Sequence, residues 1–364
     1  MCITLGHWLS HFKQSSTIIS PKPNKQVYDN PKSFWPIVLL NTLGKLIEKV
    51  IIDRLQFHVV KNNFIHSSQL GGLKFKLTLN AGVTLTHVIC SGWIKKRTTS
   101  ILAFDIVQFF LSLNHHLLTH SLSKTGFDPR VTSFFTDFLV QRKTNYWWNE
   151  FSFPMYEVNV RVGQGSALSS ILSALYLSPL LYILEKCFKI LNIPVSLIFF
   201  VNDGLFISQN KSIDISNSQL ICSYNVLLGL LKMFGLSIEH SKTETFHFDR
   251  SHRMFNLPPL NLLPLGRPIL HPKSTWKYLG FIFNRKLAFH QHIDFYSNKA
   301  IFTVKCMKIL GNSTREIDPI QKQLLYRCCI LPIALYGFQL WFYNKAPLSY
   351  SLKILGKMQR RATV

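Results

Sequence analysis

Residues 196–208 constrain this chain more than any other stretch. They run Ser-Leu-Ile-Phe-Phe-Val-Asn-Asp-Gly-Leu-Phe-Ile-Ser. Leu197–Val201 and Leu205–Ile207 are apolar and rich in strand formers, as in two short buried strands. Asn202-Asp203-Gly204 between them is turn chemistry. The stretch predicts a buried hairpin with a polar tip. An Asp at such a tip is costly unless a cation or strong donors satisfy it. By itself the stretch also fits an ordinary hairpin whose Asp caps its own turn.

The charge balance narrows the partner. The 364 residues carry 41 Lys+Arg against 17 Asp+Glu, a net charge of +24. The excess is spread along the chain, which favours a folded basic surface facing a polyanion, nucleic acid or an anionic membrane. Acids are so scarce that each Asp in apolar surroundings is informative. Apolar residues make up 47% of the chain, enough for a large core with two or three subdomains. Cysteines stand at 2, 90, 187, 222, 306, 328 and 329, with no zinc-type spacing. They read as reduced thiols in an intracellular protein, and the N-terminus has no signal-peptide layout. Ala167–Leu184 and Cys328–Phe342 are apolar but short and interrupted, so core helices are expected and no membrane partner.

Along the chain, Ser16–Lys25 predicts a short strand and a basic turn. Ile37–Phe57 has helical spacing, with Asn41 or Thr42 as cap. Gln69–Lys76 is a basic, glycine-bearing loop, and a helix is expected from Asn80. Ser100–Phe110 is an apolar strand running into Asp105, with helix from His116. Asn145–Val160 is strand-like. Val162-Gly-Gln-Gly-Ser-Ala-Leu168 is a glycine turn opening an apolar helix to Leu184. A helix covers about 217–234. Gly235–Phe248 reads as turn, lysine-bearing loop and strand, and Trp276–Phe283 as one more strand. Beyond Asn284 the text is helical and lysine-rich. The pattern is α+β.

Asp105 and Asp203 each end or interrupt an apolar strand. Two carboxylates at adjacent strand tips can hold two divalent ions about 3.5–4 Å apart, as phosphoryl-transfer centres do. The Gly163–Ser166 turn allows backbone to approach a ligand, and Lys242 follows a turn. Each feature is weak by itself; their order along the chain is specific.

In that order the chain resembles the reverse transcriptase of non-LTR (LINE-like) retrotransposons, particularly the fungal type. Residues 33–49, Ser-Phe-Trp-Pro-Ile-Val-Leu-Leu-Asn-Thr-Leu-Gly-Lys-Leu-Ile-Glu-Lys, are similar to the fingers motif. Phe104–Phe110 resembles motif A, Val162–Leu172 motif B, Phe200–Gly204 motif C, Gly235–Phe248 motif D and Lys277–Gly280 motif E. The resemblance runs over nearly the whole chain from about Ser16.

The resemblance implies a right-hand polymerase: fingers over 1–100, a palm with an antiparallel sheet over 101–285, and a helical thumb over 286–364. It implies RNA-templated DNA synthesis from an RNA template, a DNA primer and deoxynucleoside triphosphates, with Mg²⁺ (or Mn²⁺) as cofactor, and nuclear residence. Asp105 would be a metal ligand beside the Ile106 carbonyl, and Asp203 the second Asp of motif C. Phe110 would exclude a ribose 2′-OH. Gln164, Gly165 and Ser166 would line the nascent base pair. Lys242 would protonate the departing pyrophosphate, and Lys45 and Lys74 would contact phosphates. Two departures stand out. Asn202 occupies the degenerate metal-ligand position where the family carries Asp, and an amide is a poor ligand for a hard dication. Trp35 stands where Arg is usual and cannot supply its fork of donors. Ser170 and Leu111 replace prolines. With no endonuclease text ahead of the motifs and an end inside a basic helix, the chain reads as a truncated copy. An impaired polymerase is expected, with a catalytically inactive nucleic-acid-binding relic as the alternative.

Overall fold

The computed structural model describes residues 2–23, 27–107, 109–158, 165–250, 257–262, 269–310, 318–342 and 348–362. Two four-stranded sheets organise it. The first combines β1 (Gln14–Pro21), β2 (Phe34–Leu40), β4 (Arg142–Trp148) and β5 (Phe151–Val158) in the order β2-β1-β4-β5. The second combines β3 (Thr98–Asp105), β6 (Val195–Phe200), β7 (Asp203–Asn210) and β8 (Glu244–Phe248) in the order β6-β7-β3-β8, all antiparallel.

The second sheet is buried on both faces because its strands alternate two apolar sets, as a period of two requires. Leu102, Phe104 and Phe206 join one core cluster with α6 (Ser169–Ile190) and α7 (Ile213–Met233). Ile101, Leu205, Ile207, Phe246 and Phe248 join the other. That second cluster holds α2 (Thr78–Ile94) and a hairpin of β9 (Thr275–Tyr278) and β10 (Phe281–Asn284). Each fully buried Phe or Leu contributes roughly 1.5–3 kcal/mol, so removing either flanking layer would expose a continuous apolar face. Helix α6 is long and apolar enough to cross a bilayer, but 67% of its apolar window is buried in the protein. Its environment is that of a core helix, as expected for 167–184.

Four local readings need correction. Ile37–Leu40 is strand, not helix: Phe34–Leu40 pairs antiparallel with β1 as an edge strand, where Pro36 is tolerated. The helix α1 starts at Thr42 and ends at Lys61, after Asn41 caps the Leu43 and Gly44 amides at 2.9 and 3.2 Å. Trp276–Phe283 is a hairpin, turned at Leu279 (φ 48°) and Gly280 (φ 88°). The turn of the Ser196–Ser208 hairpin is Val201-Asn202, with Asp203 already the first residue of β7. Beyond Asn284, α8 (His290–Leu310) and α9 (Leu348–Ala362) pack together, the helical text expected there.

Candidate active site

β3 and β7 run antiparallel with Asp105 opposite Asp203. Cross-strand partners share a face, so both carboxylates point to the side of Ile101 and Ile207, towards the β9–β10 hairpin. The preceding pair, Phe104 and Gly204, points the other way. Gly204 is dictated by that register: a Cβ there would overlap the Phe104 ring. β8 flanks β3 with Ala103 opposite Glu244, and the short turn His240–Lys242 lies just before it. That register brings Lys242 level with Asp105.

Two side chains meet at Asp105. Lys242 Nζ donates to Oδ2 at 2.5 Å, and the Asn202 amide Nδ2 donates to Oδ1. Backbone closes the cluster: Ile106 N–H donates to the Asn202 carbonyl at 3.2 Å, and Glu239 N–H to the Asp105 carbonyl at 2.8 Å. Asp203 is held differently. Burial, and then the charge of Asp105, push its carboxyl up to about 6, while Lys242 pulls it back. Lys242 itself is raised, first by its hydrogen bond to Asp105.

The donor set can be tested against the ions that such a pair suggests. Among the described residues no group of three His, Cys, Asp or Glu side chains gathers. Asp105 and Asp203 are the two carboxylates, Asn202 turns its N–H and not its oxygen to Asp105, and a lysine holds the other oxygen. Hard dications take carboxylate and phosphate oxygens. This arrangement does not fit a pair of divalent ions.

The other expected residues are spread more widely. Phe110 is partly buried on a short helix, Phe109–Ser112, with its ring 5.7 Å from that of Phe109. Gln164 lies outside the described residues. Gly165 is exposed at φ 129° beside the Val38 carbonyl. Ser166 is buried and points away from solvent, donating to Glu48 Oε2 at 2.8 Å. Lys45 stands in the first turn of α1. Lys74 is 3.4 Å from Asp53 of α1. Trp35 is exposed on β2, on one face with Ile37 and Leu39.

Two residues important to the site carried no sequence signal. Glu48, 2% exposed, accepts from Ser166 Oγ and from Ala167 N–H, both at 2.8 Å, and so fixes the turn that opens α6. Gln69, 1% exposed, bonds the backbone of Val201 at the hairpin tip. Their partners lie more than 100 residues away. The available hint was polarity: a Glu on the apolar stripe of a helix and a Gln ahead of two glycines.

Comparison with known proteins agrees with this architecture. Residues 20–283 match the family described as reverse transcriptase (RNA-dependent DNA polymerase). The chain is 24% identical over 340 residues to a probable RNA-directed DNA polymerase from transposon BS of Drosophila melanogaster, covering 91% of this chain and 36% of that protein. It is 23% identical over 345 residues to the Pol polyprotein from the type-1 retrotransposable element R2 of Popillia japonica, covering 92% and 45%. It is 25% identical over 361 residues to the RNA-directed DNA polymerase from mobile element jockey of D. melanogaster, covering 97% and 37%. The chain thus spans less than half the length of these relatives. Among solved structures, apo telomerase from Candida tropicalis superposes with a TM-score of 0.51 at 12% identity, over 97% of this chain and 63% of that one. Telomerase from Candida albicans in complex with a fragment of telomeric RNA gives 0.51 at 10% identity, over 94% and 64%. At such identities the likeness concerns fold, here the right-hand polymerase. The facing aspartates, the glycine turn before α6 and the family match over Ser20–Phe283 lead to one conclusion: this chain belongs to the reverse transcriptase family and is a LINE-like reverse transcriptase domain.

Proposed function

We propose that the chain is an RNA-directed DNA polymerase domain of a fungal-type LINE-like element, with synthesis impaired at its own centre. Fingers would span 1–100, palm 101–285 and thumb 286–364. An RNA template, a DNA primer and deoxynucleoside triphosphates would be its ligands, and the nucleus its place of action. The observation that carries this reading is the Asp105–Asp203 pair on one face of the palm sheet, with Lys242 beside it.

The reaction joins the primer 3′ oxygen to the α-phosphorus of the nucleotide and releases pyrophosphate. A divalent ion, Mg²⁺ or Mn²⁺, supplies charge neutralisation to such chemistry when bound. Asp105, the Ile106 carbonyl and Asp203, with Asn202 a degraded fourth, are the groups a polymerase of this kind would use to hold it, but as they stand here they do not fit a pair of such ions. What these residues now do is different. Lys242 offsets the charge of Asp105, the Asn202 amide hydrogen-bonds its other oxygen, and Asp203 is driven towards its neutral form. Lys242 is charged and able to give a proton to pyrophosphate only after leaving Asp105. Phe110 would pack against the sugar, Gln164, Gly165 and Ser166 would border the nascent pair, and Lys45 and Lys74 would meet phosphates.

The self-neutralised Asp105 also supports a second reading, a catalytically silent nucleic-acid binder on the same fold. Primer extension on an RNA template separates the two. Template-dependent DNA product that disappears in Asp105→Asn supports the polymerase. No product from wild type, Asn202→Asp or Asn202→Asp/Trp35→Arg, with primer–template still bound, supports the binder.

A further inference from the structure

Val201, at the tip of the β6–β7 hairpin, has φ 60°. A β-branched residue in the left-handed region is a true outlier and persists only where its surroundings hold it. The next two residues are Asn202 and Asp203, so the direction of both depends on this one strained unit.

What holds Val201 is a buried side chain from a distant loop. Gln69 Oε1 accepts from Val201 N–H at 3.0 Å, and Gln69 Nε2 donates to the Val201 carbonyl at 3.2 Å. Both backbone groups of the strained residue are thus satisfied by one amide. The same Oε1 accepts from Gly71 N–H at 3.2 Å, which orients it. The loop is anchored on β6, where Phe199 N–H donates to Ser68 O at 2.8 Å and Leu70 N–H to Phe199 O at 2.7 Å. Its far side is as tight. Gly72 has φ 82°, and a Cβ there would lie 2.6 Å from the Ser170 carbonyl in the first turn of α6.

We propose that Gln69 is the positioning residue of the catalytic hairpin. Its amide takes the place of a third strand, keeps Val201 left-handed, and through it aims Asn202 and Asp203 at Asp105. The role rests on the polymerase reading of the hairpin, but its test does not require synthesis. Ile106 N–H donates to the Asn202 carbonyl, so exchange of that amide reports whether the tip is in place.

The test is hydrogen–deuterium exchange on the full chain for wild type, Gln69→Ala and Gln69→Ala/Val201→Gly. Gln69→Ala should speed exchange at Ile106 by about tenfold or more, with the β3–β7 ladder around Leu102 unchanged. Glycine reaches φ 60° without a Cβ penalty. Adding Val201→Gly should therefore return Ile106 to within about threefold of wild type. A side chain that merely fills space would not be rescued by deleting another one. Unchanged Ile106 exchange in Gln69→Ala, or faster exchange that glycine fails to restore, overturns the proposal. Should Gln69→Ala not fold, Gln69→Glu, which keeps the acceptor and loses the donor, is judged by the same two criteria. In an Asn202→Asp protein that synthesises DNA, Gln69→Ala should lower kcat and leave the KM for primer–template unchanged. Rescued exchange without any synthesis would count against the polymerase reading and leave the role of Gln69 standing.

Discussion

Glu48→Ala is the perturbation whose cost the structure fixes best. The carboxylate is 2% exposed and accepts two hydrogen bonds at 2.8 Å, from Ser166 Oγ and Ala167 N–H. It also faces Arg142, itself 6% exposed, whose guanidinium burial pushes below its ordinary value while Glu48 pulls it back. Arg142 otherwise has the Phe138 carbonyl at 3.2 Å and the Phe138 ring at 4.9 Å, neither of them anionic. Truncation leaves a hydroxyl and an amide without their acceptor, at about 1–3 kcal/mol each. It also removes the charge of Glu48 that partly offsets the burial of Arg142, although the two are not within ion-pair distance. Solvent entering the gap would recover part of this, so the expected loss is about 3–5 kcal/mol by denaturant unfolding. Glu48→Gln, which keeps one acceptor oxygen, should lose roughly half as much. A loss below about 1 kcal/mol for Glu48→Ala would show that the α6 turn does not depend on this carboxylate, and would refute the reasoning.

Three further outcomes are expected. Asp203 titrates near 6 in the fold against 3.8 ordinarily, so its favourable contribution is complete below about pH 4 and is lost as pH rises through about 6. Asp203→Asn should therefore be roughly 2–3 kcal/mol more stable than wild type at pH 7.5 and about equal at pH 4, measured by unfolding at both values; equal stability at pH 7.5 would contradict the shift. Gly204→Ala drives a Cβ into the Phe104 ring and should cost about 1–3 kcal/mol or more, read by thermal unfolding. With its net charge of +24, the chain should lose about 10³-fold or more in primer–template affinity between 50 and 200 mM salt if it meets six or more phosphates; a flat response in a binding titration would exclude a basic groove.

Much of the skeleton was legible because local rules carry it. The apolar runs ending in Asp105 and flanking Asp203 are strands in register, and Asn41 is the cap of α1. The boundary at residue 37 failed because Ile37, Leu40 and Leu43 keep helical spacing across a strand–helix junction. There the pairing of β2 with β1 decides the outcome, and it is non-local. The Leu279-Gly280 turn was missed because only one of its two left-handed residues is glycine. Val201 was read as strand for the same reason: nothing in its side chain favours φ 60°, and only Gln69 explains it. Within the site, the sequence could name Asp105, Asn202 and Lys242 singly. That Asn202 and Lys242 saturate the two oxygens of Asp105 follows from packing across three strands, which no spacing encodes.

Asn202 is the residue on which synthesis depends, and the decisive comparison is primer extension on an RNA template by wild type and Asn202→Asp under identical Mg²⁺. Restoring the carboxylate replaces a donor to Asp105 by an anion, and the loss of one key electrostatic group typically costs about 10²–10³-fold. Asn202→Asp should extend primers at least about 10²-fold faster than wild type. Equal, robust extension by both would contradict the claim that this position has disabled the centre.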